Sequence, residues 1–262
     1  MEVRPKWPDG TPAHTKKIFG VVDSYDLRKE FPIMTLRQCF YKSALDEIIW
    51  IYFKASNKLS ELNSHVWDEW ADEHGTIGKA YGYQVAKVTH YPEGYFDQME
   101  KVIYDLKHTP MSRSIMTNLY CVEDLPEMAL RPCAYGMTYN VTRNTETGEM
   151  ILNGLLNQRS QDMLTANNWN TIQYAMLLML VAKEVGMTPG IFTHVIADCH
   201  IYDRHVPIVE DMIKRAETAP NDFEEPKLVI ADYDDFWKID KNVVHLEGYQ
   251  FDHTDYKIEV AI

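Results

Sequence analysis

The stretch that most constrains the fold runs from Arg131 to Asn170, where two extended segments flank a turn-rich cluster. Ala134-Tyr135-Gly136-Met137-Thr138-Tyr139-Asn140-Val141 alternates ahead of Asn144-Thr145-Glu146-Thr147-Gly148-Glu149, and a second run leads into Gln158-Arg159-Ser160-Gln161-Asp162. Alternation on both sides of an Asn/Thr/Gly cluster predicts two antiparallel strands. The thiol of Cys133 then sits at the start of one strand, and the guanidinium, hydroxyl and carboxylate of Arg159, Ser160 and Asp162 sit at the end of its partner. Within 133–141, Cys133, Tyr135, Met137, Tyr139 and Val141 are expected on one face. A cysteine is commonly a buried, inert side chain, but a neighbouring cation lowers a thiol's pKa and yields a nucleophilic thiolate. Both readings of Cys133 stand on these residues alone.

With 262 residues, 45% of them hydrophobic, the chain can bury a proper core. No Gly/Ser/Pro-rich linker, internal repeat or low-complexity block divides it, so residues 1–262 are expected to form a single domain. No apolar run has the length of a bilayer span, and Met1-Glu2-Val3-Arg4-Pro5 does not read as a signal peptide, so no membrane partner is expected. Cys39, Cys121, Cys133 and Cys199 show no CxxC pairing, which fits a reducing cytoplasm. A formal charge of −13 repels DNA at long range. An anionic ligand must therefore be small and held by local arginines.

Elsewhere the pattern mixes helices with strands. Lys16–Gly20 reads as a short strand, and Thr35 as the cap of a helix running to about Lys54. On that helix Leu36, Phe40, Ala44 and Ile51 share an arc that also contains Glu47. Glu47 is then either a core-edge carboxylate with a polar partner or a general acid/base with an upward-tuned pKa. Trp67 and Trp70, on a short helical turn, are either core packing or a stacking wall for a flat heterocycle. The glycines of Gly75-Thr76-Ile77-Gly78-Lys79-Ala80-Tyr81-Gly82 match no phosphate loop. Helices are expected over Phe96–Lys107, Thr171–Val185 with Gly186 as C-cap, and Pro207–Arg215. Ser112–Met116 is expected to be extended, and Arg113 reads by itself as a surface charge. Strands are expected over Ile191–Tyr202, Lys227–Ile230 and Val243–Leu246. Neighbours on a strand face opposite ways, so Cys199 and His200 cannot serve one ion and no metal site is expected. Asp198, His200 and Tyr202 share a face, which suits either a sugar hydroxyl or a satisfied polar edge. The apolar ending Val260-Ala261-Ile262 packs down or closes over a site.

From about Asp9 to Ile262 the chain resembles the thymidylate synthase family. The resemblance is carried by Trp67-Asp68-Glu69-Trp70-Ala71-Asp72-Glu73, Leu130-Arg131-Pro132-Cys133, Gln158-Arg159-Ser160-Gln161-Asp162, Asn170, Asp198-Cys199-His200-Ile201-Tyr202, Glu247-Gly248-Tyr249 and Val260-Ala261-Ile262, in that order. Asp9-Gly10-Thr11-Pro12-Ala13-His14-Thr15 is similar to the divergent branch found in some Gram-positive bacteria and their phages. The resemblance implies an α+β fold, with a large twisted mixed β-sheet flanked by helices and sheets back to back in a homodimer. It implies reductive methylation of dUMP to dTMP, with 5,10-methylenetetrahydrofolate as carbon and hydride donor and no metal. Cys133 would add to C6 of dUMP, Glu47 would relay protons and Tyr81 would lie near the C5 proton. Arg159, Ser160 and, from the partner subunit, Arg113 would hold the phosphate, with Arg4 as the N-terminal phosphate ligand. Asn170 would read the uracil edge, and His200 and Tyr202 the ribose. Trp67, Trp70, Asp162 and Ile262 would enclose the folate.

Several positions depart from the family pattern. Ala134 stands where His is usual, Ser114 where a second Arg is usual, Ala166 and Ile196-Ala197 where Gly is usual, and Asn168 where Pro is usual. Two alternatives follow: a dUMP hydroxymethylase, which adds water instead of hydride, and a catalytically degenerate binding protein on the same fold. Asn170 argues against a dCMP-specific form, and Cys133, Glu47 and Asn170 together argue against degeneracy.

Overall fold

The computed structural model describes residues 5–218 and 222–261. Its centre is a five-stranded sheet. The long first strand β1 (Thr15–Asp26) pairs antiparallel with β7 (Thr188–Tyr202) at one edge, and β7 lies parallel to β6 (Met150–Asp162). β6 pairs antiparallel with β5 (Ala134–Arg143), which pairs with β4 (Met116–Asn118). The one parallel pair makes the sheet mixed, as the α+β expectation requires. Two small hairpins stand apart, β2 (Thr89–Tyr91) with β3 (Gly94–Phe96) and β8 (Lys227–Ile230) with β9 (Val244–Glu247).

Helix α4 (Asn167–Glu184) is apolar on nearly all sides from Thr171 to Ala182, so it lies at the centre of the core rather than on the surface. Gly186 stops it, in the left-handed conformation (φ +70°) that a C-cap demands. α4 packs against β6, β7 and the helix α1 (Tyr41–Ile48). Leu152, Leu156, Phe192, Met137 and Tyr139 fill the inner face of the sheet. The opposite face leaves Ile18 (63%), Val22 (61%) and Leu155 (36%) open to solvent. The short α2 (Gly82–Val85), α3 (Gln98–His108) and α5 (Val206–Thr218) complete the layers.

Several expected boundaries shift for physical reasons. The helix predicted from Thr35 begins only at Tyr41, with Phe40 at its cap position, and passes into a π-helical turn over Ile49–Phe53. Leu36 and Phe40 therefore lie outside it, and Phe40 is exposed rather than on a buried arc. The preceding loop is tied elsewhere: Met34 N donates to Asn168 Oδ1 (2.8 Å) and Asn168 Nδ2 to Pro32 O (3.1 Å). The strand predicted over Lys16–Gly20 extends to Asp26 because β7 offers a partner along its whole length. In β5 an irregularity between Ala134 and Gly136 breaks the alternation, so Ala134 is buried beside Met137 and the face expected to run from Cys133 through Tyr135 to Val141 is not continuous. Asn168, Trp169 and Asn170, expected to lead into α4, form its first turn.

Candidate active site

A cavity of about 550 Å³ opens where the ends of β5, β6 and β7 meet the N-terminus of α4 and the side of α1. That volume suits a small-molecule ligand. Cys133, Glu47, Tyr81, Ser160, Asp162, Asn170, His200, Tyr202, Trp67 and Trp70 all line it. These predicted site residues come from segments more than 150 positions apart in the chain.

The antiparallel register brings Cys133 to Arg159: Arg159 N donates to Cys133 O (2.9 Å), and Arg159 Nη2 lies 3.5 Å from Cys133 Sγ. The guanidinium is held by the backbone around the thiol, with Nε donating to Pro132 O (2.9 Å) and Nη2 to Arg131 O (2.7 Å). Burial pushes the Cys133 thiol up and Arg159 opposes it, with burial the stronger effect. The expected lowering by Arg159 is thus present but outweighed in the free protein. Cys133 N donates to Tyr81 Oη (3.2 Å). Tyr81 sits at φ +44°, a strained conformation for a side chain of this size. The next position admits only glycine, because a Cβ on Gly82 would lie 2.0 Å from Ser56 O. Burial holds the Tyr81 hydroxyl well above the ordinary tyrosine range, so it stays a phenol.

Glu47 is 6% exposed and accepts from two indoles, Trp67 Nε1 at 3.1 Å and Trp169 Nε1 at 2.8 Å. Burial raises its pKa, and these donors only partly offset the rise. Trp67 also stacks edge-on against Tyr81 (5.1 Å) and Trp70 (5.6 Å). The carboxylate therefore has polar partners, as a core-edge residue would, and a pKa raised by burial.

On the opposite wall His200 Nδ1 lies 2.9 Å from Asp198 Oδ1, which orients the ring beside Tyr202. Asn170 Oδ1 accepts from Gln158 Nε2 (3.1 Å) and Asn170 Nδ2 donates to Gln173 Oε1 (3.0 Å). Asp162 accepts from Leu164 N (2.9 Å) and lies 3.8 Å from His205 Nδ1. Burial would raise the Asp162 carboxyl, but His205 and Thr165 hold it below the usual range. His205 Nε2 donates to Glu259 O (2.8 Å), which ties the C-terminal segment to the cavity rim, where Val260 and Ala261 form part of the wall.

Not every predicted residue is brought here. Arg113 and Ser114 are exposed and do not line the cavity. Arg4 and Ile262 lie outside the described residues. Sequence reasoning missed Trp169, Gln158, Gln173 and His205. Gln173 lies three residues beyond Asn170, on the same helical face, and Gln158 two before Ser160 on a strand; those spacings could have found them. Arg37 was also missed, and its buried Nε has no hydrogen-bond partner. Among the described residues no cluster of His, Cys, Asp or Glu could hold a metal ion, and no helix is long and apolar enough to cross a membrane.

Comparison with known proteins gives a uniform result. The thymidylate synthase family model matches residues 3–262. A thymidylate synthase of Bacillus licheniformis is 38% identical over 87% of this chain and 80% of its own length. That of Bacillus phage phi3T is 35% identical over 100% and 91%, and that of Clostridium beijerinckii 37% over 96% and 90%. Among solved structures, the thermostable thymidylate synthase A from Bacillus subtilis superposes with a TM-score of 0.90 at 33% identity, covering 99% of this chain and 91% of that one.

Proposed function

The chain belongs to the thymidylate synthase family, and on that premise we propose that Cys133 is the nucleophile and Glu47 the proton-relay carboxylate of its reaction. The enzyme is a methyltransferase that converts dUMP to dTMP by reductive methylation, with 5,10-methylenetetrahydrofolate as co-substrate. The observation that carries the assignment is the presence in one cavity of Cys133, with Arg159 Nη2 3.5 Å from its Sγ, and of Glu47, held by two indoles.

The cavity's residues fit both ligands. Ser160 in the cavity and Arg159 beside Cys133 offer a hydroxyl and a cation for the dUMP phosphate. Cys133 Sγ adds to C6 of the pyrimidine, and the electron pair released toward C5 is delocalised onto O4, where Asn170 Nδ2 donates. Asn170 Oδ1 accepts from N3–H. His200, oriented by Asp198, and Tyr202 hold the ribose hydroxyl. The folate supplies one carbon and a hydride when bound. Trp67 and Trp70 provide a wall for its flat ring, the ionised Asp162 an acceptor for its N–H groups, and Arg37, anchored through Nη2 to Leu164 O with Nε unpartnered, a cation for its carboxylates. Glu47, its pKa raised by burial, can pass a proton to and from the site. Tyr81, kept as a phenol, can orient the group that removes the C5 proton but does not take the proton itself. The bond from Cys133 to C6 is transient: once C5 carries the new carbon and has lost its proton, Cys133 leaves C6 and the pyrimidine double bond reforms.

The exposed Arg113 and the solvent-facing apolar side chains Ile18, Val22 and Leu155 support a homodimer in which Arg113 reaches the partner's phosphate site. One continuous core supports a single catalytic domain, and four free cysteines support a cytoplasmic setting. Ala134, 2% exposed at the cavity wall, supplies no polar group, and Ser114 supplies no charge. Incubation with dUMP and methylenetetrahydrofolate, with the nucleotide identified by mass, tests the reading. dTMP formed in step with dihydrofolate is the expected result. A hydroxymethylated product would assign the enzyme to hydration instead, and unchanged dUMP would overturn both.

A further inference from the structure

The hydrogen-bond polarity of Asn170 is set by groups behind the cavity. Gln173 Nε2 donates to Ala44 O (3.3 Å), which can only accept, so Gln173 turns Oε1 toward Asn170 Nδ2. From the other side, Gln158 Nε2 donates to Ser160 O (2.9 Å) and to Asn170 Oδ1 (3.1 Å). Gln158 Oε1 therefore points into the core, where it lies 2.9 Å from His194 Nε2. An amide oxygen accepts, so His194 Nε2 must carry a proton. Gln158 and Gln173 are each 2% exposed and His194 is 0% exposed, so no solvent can replace a lost partner. Thr171 Oγ1, the other neighbour of the ring, lies 3.4 Å from Nδ1 and donates to Asn167 O at 2.8 Å. Burial lowers the His194 pKa to about 4, so near neutral pH the ring holds one proton, and the shorter contact places it on Nε2.

We propose that His194 is a positioning residue for pyrimidine selection: its Nε2–H anchors Gln158, which holds Asn170 with Oδ1 and Nδ2 in one fixed order facing the base. That order complements N3–H and O4 of uracil. It opposes cytosine, whose N3 accepts and whose exocyclic amine donates. Turning Asn170 over to suit cytosine sets Nδ2 against Gln158 Nε2 and Oδ1 against Gln173 Oε1, so two favourable contacts become two repulsive ones. The proposal rests on the cavity's being a dUMP site.

Calorimetric Kd values for dUMP and dCMP, measured on the unmodified enzyme and on His194→Phe, His194→Asn and His194→Gln, test it. A glutamine amide reaches close to the position of Nε2, whereas an asparagine amide reaches only that of Nδ1. The ratio Kd(dCMP)/Kd(dUMP) is expected to fall about tenfold or more in the Phe and Asn variants and to be largely retained in the Gln variant. If His194 only fills space, Phe keeps the ratio and Gln does not, and the proposal is overturned. A measurement without substitution covers the case of a variant that fails to fold. Nitrogen-15 NMR of histidine-labelled enzyme, with the His194 ring assigned by its through-space contacts with Thr171 and Phe192, is expected to show that ring neutral and protonated at Nε2; protonation at Nδ1 overturns the proposal. Failure of the unmodified protein to bind dUMP would instead sink the reading of the site, while the tautomer would still report on His194.

Discussion

Replacing Trp169 by Phe isolates one of the hydrogen bonds that keep Glu47 ionisable. Phe retains most of the ring's packing and removes only the donor that reaches Oε2 at 2.8 Å. A hydrogen bond to a charged group contributes about 1.5–3 kcal/mol, and one pKa unit corresponds to about 1.4 kcal/mol. Losing it should therefore raise the Glu47 pKa by about 1–2 units beyond the rise that burial already causes. If Glu47 must be ionised to accept a proton, the acid limb of the kcat/KM profile moves up by the same about 1–2 units in Trp169→Phe, and Glu47→Gln abolishes the limb together with most of the rate. Steady-state rates from pH 5 to 9 with saturating folate provide the assay. A limb that stays in place, or one that moves down, would refute the assignment of that limb to Glu47. The same pKa rise has a consequence for stability. The folded state binds the Glu47 proton more tightly than the unfolded chain, so stability falls as pH rises from the unfolded carboxyl range through the folded pKa. Glu47→Gln, which has no carboxyl to titrate, should show a melting temperature that falls less than the parent's as pH rises above the unfolded carboxyl range.

Three further outcomes follow from the geometry. Arg159→Gln removes the cation 3.5 Å from Cys133 Sγ, so the pH midpoint for alkylation of Cys133 by iodoacetamide should rise by about one unit or more; an unchanged midpoint would exclude thiolate stabilisation by Arg159. For His205, burial lowers the pKa but Asp162 and the Glu259 carbonyl outweigh it and raise it. That stabilisation is full below about pH 6.5 and is lost as pH rises through the folded pKa, so the melting temperature of His205→Gln should depend less on pH between 6 and 9 than that of the parent. Gly82→Ala would set a Cβ 2.0 Å from Ser56 O, so chemical denaturation should report a loss of about 3 kcal/mol or more and a displaced Tyr81 should slow turnover; a neutral effect would show that the segment moves freely.

Much of this site was legible because it is written in contiguous pieces. The two alternating runs around Asn144–Gly148 are paired as β5 and β6, and that register alone brings Arg159 to Cys133. Glu47 was reached by a helical phase whose first turns were wrongly placed. Its burial survives the correction because Ala44, Leu45 and Ile48, in the true helix, surround the same position. The resemblance to a known family supplied the roles, since periodicity could identify a thiol or a carboxylate but not a pyrimidine.

Other features depend on contacts between segments far apart in sequence. The irregularity beside Ala134 comes from its pairing with Gln158, and the late start of α1 accompanies the bonds from Asn168 back to Pro32 and Met34. The balance at Cys133 between burial and Arg159 could not be read from composition, because it depends on how much of the thiol the finished cavity hides from water. His194 shows the division most clearly. On the strand it is one alternating residue among several. Only when β7 lies beside β6 does its ring meet Gln158, and only then does a buried imidazole 24 residues from Asn170 set which way that amide faces. Local sequence determines which groups a strand or helix can present; the packing of distant strands decides their partners, because a buried donor or acceptor must be met by whatever the fold brings within about 3 Å of it.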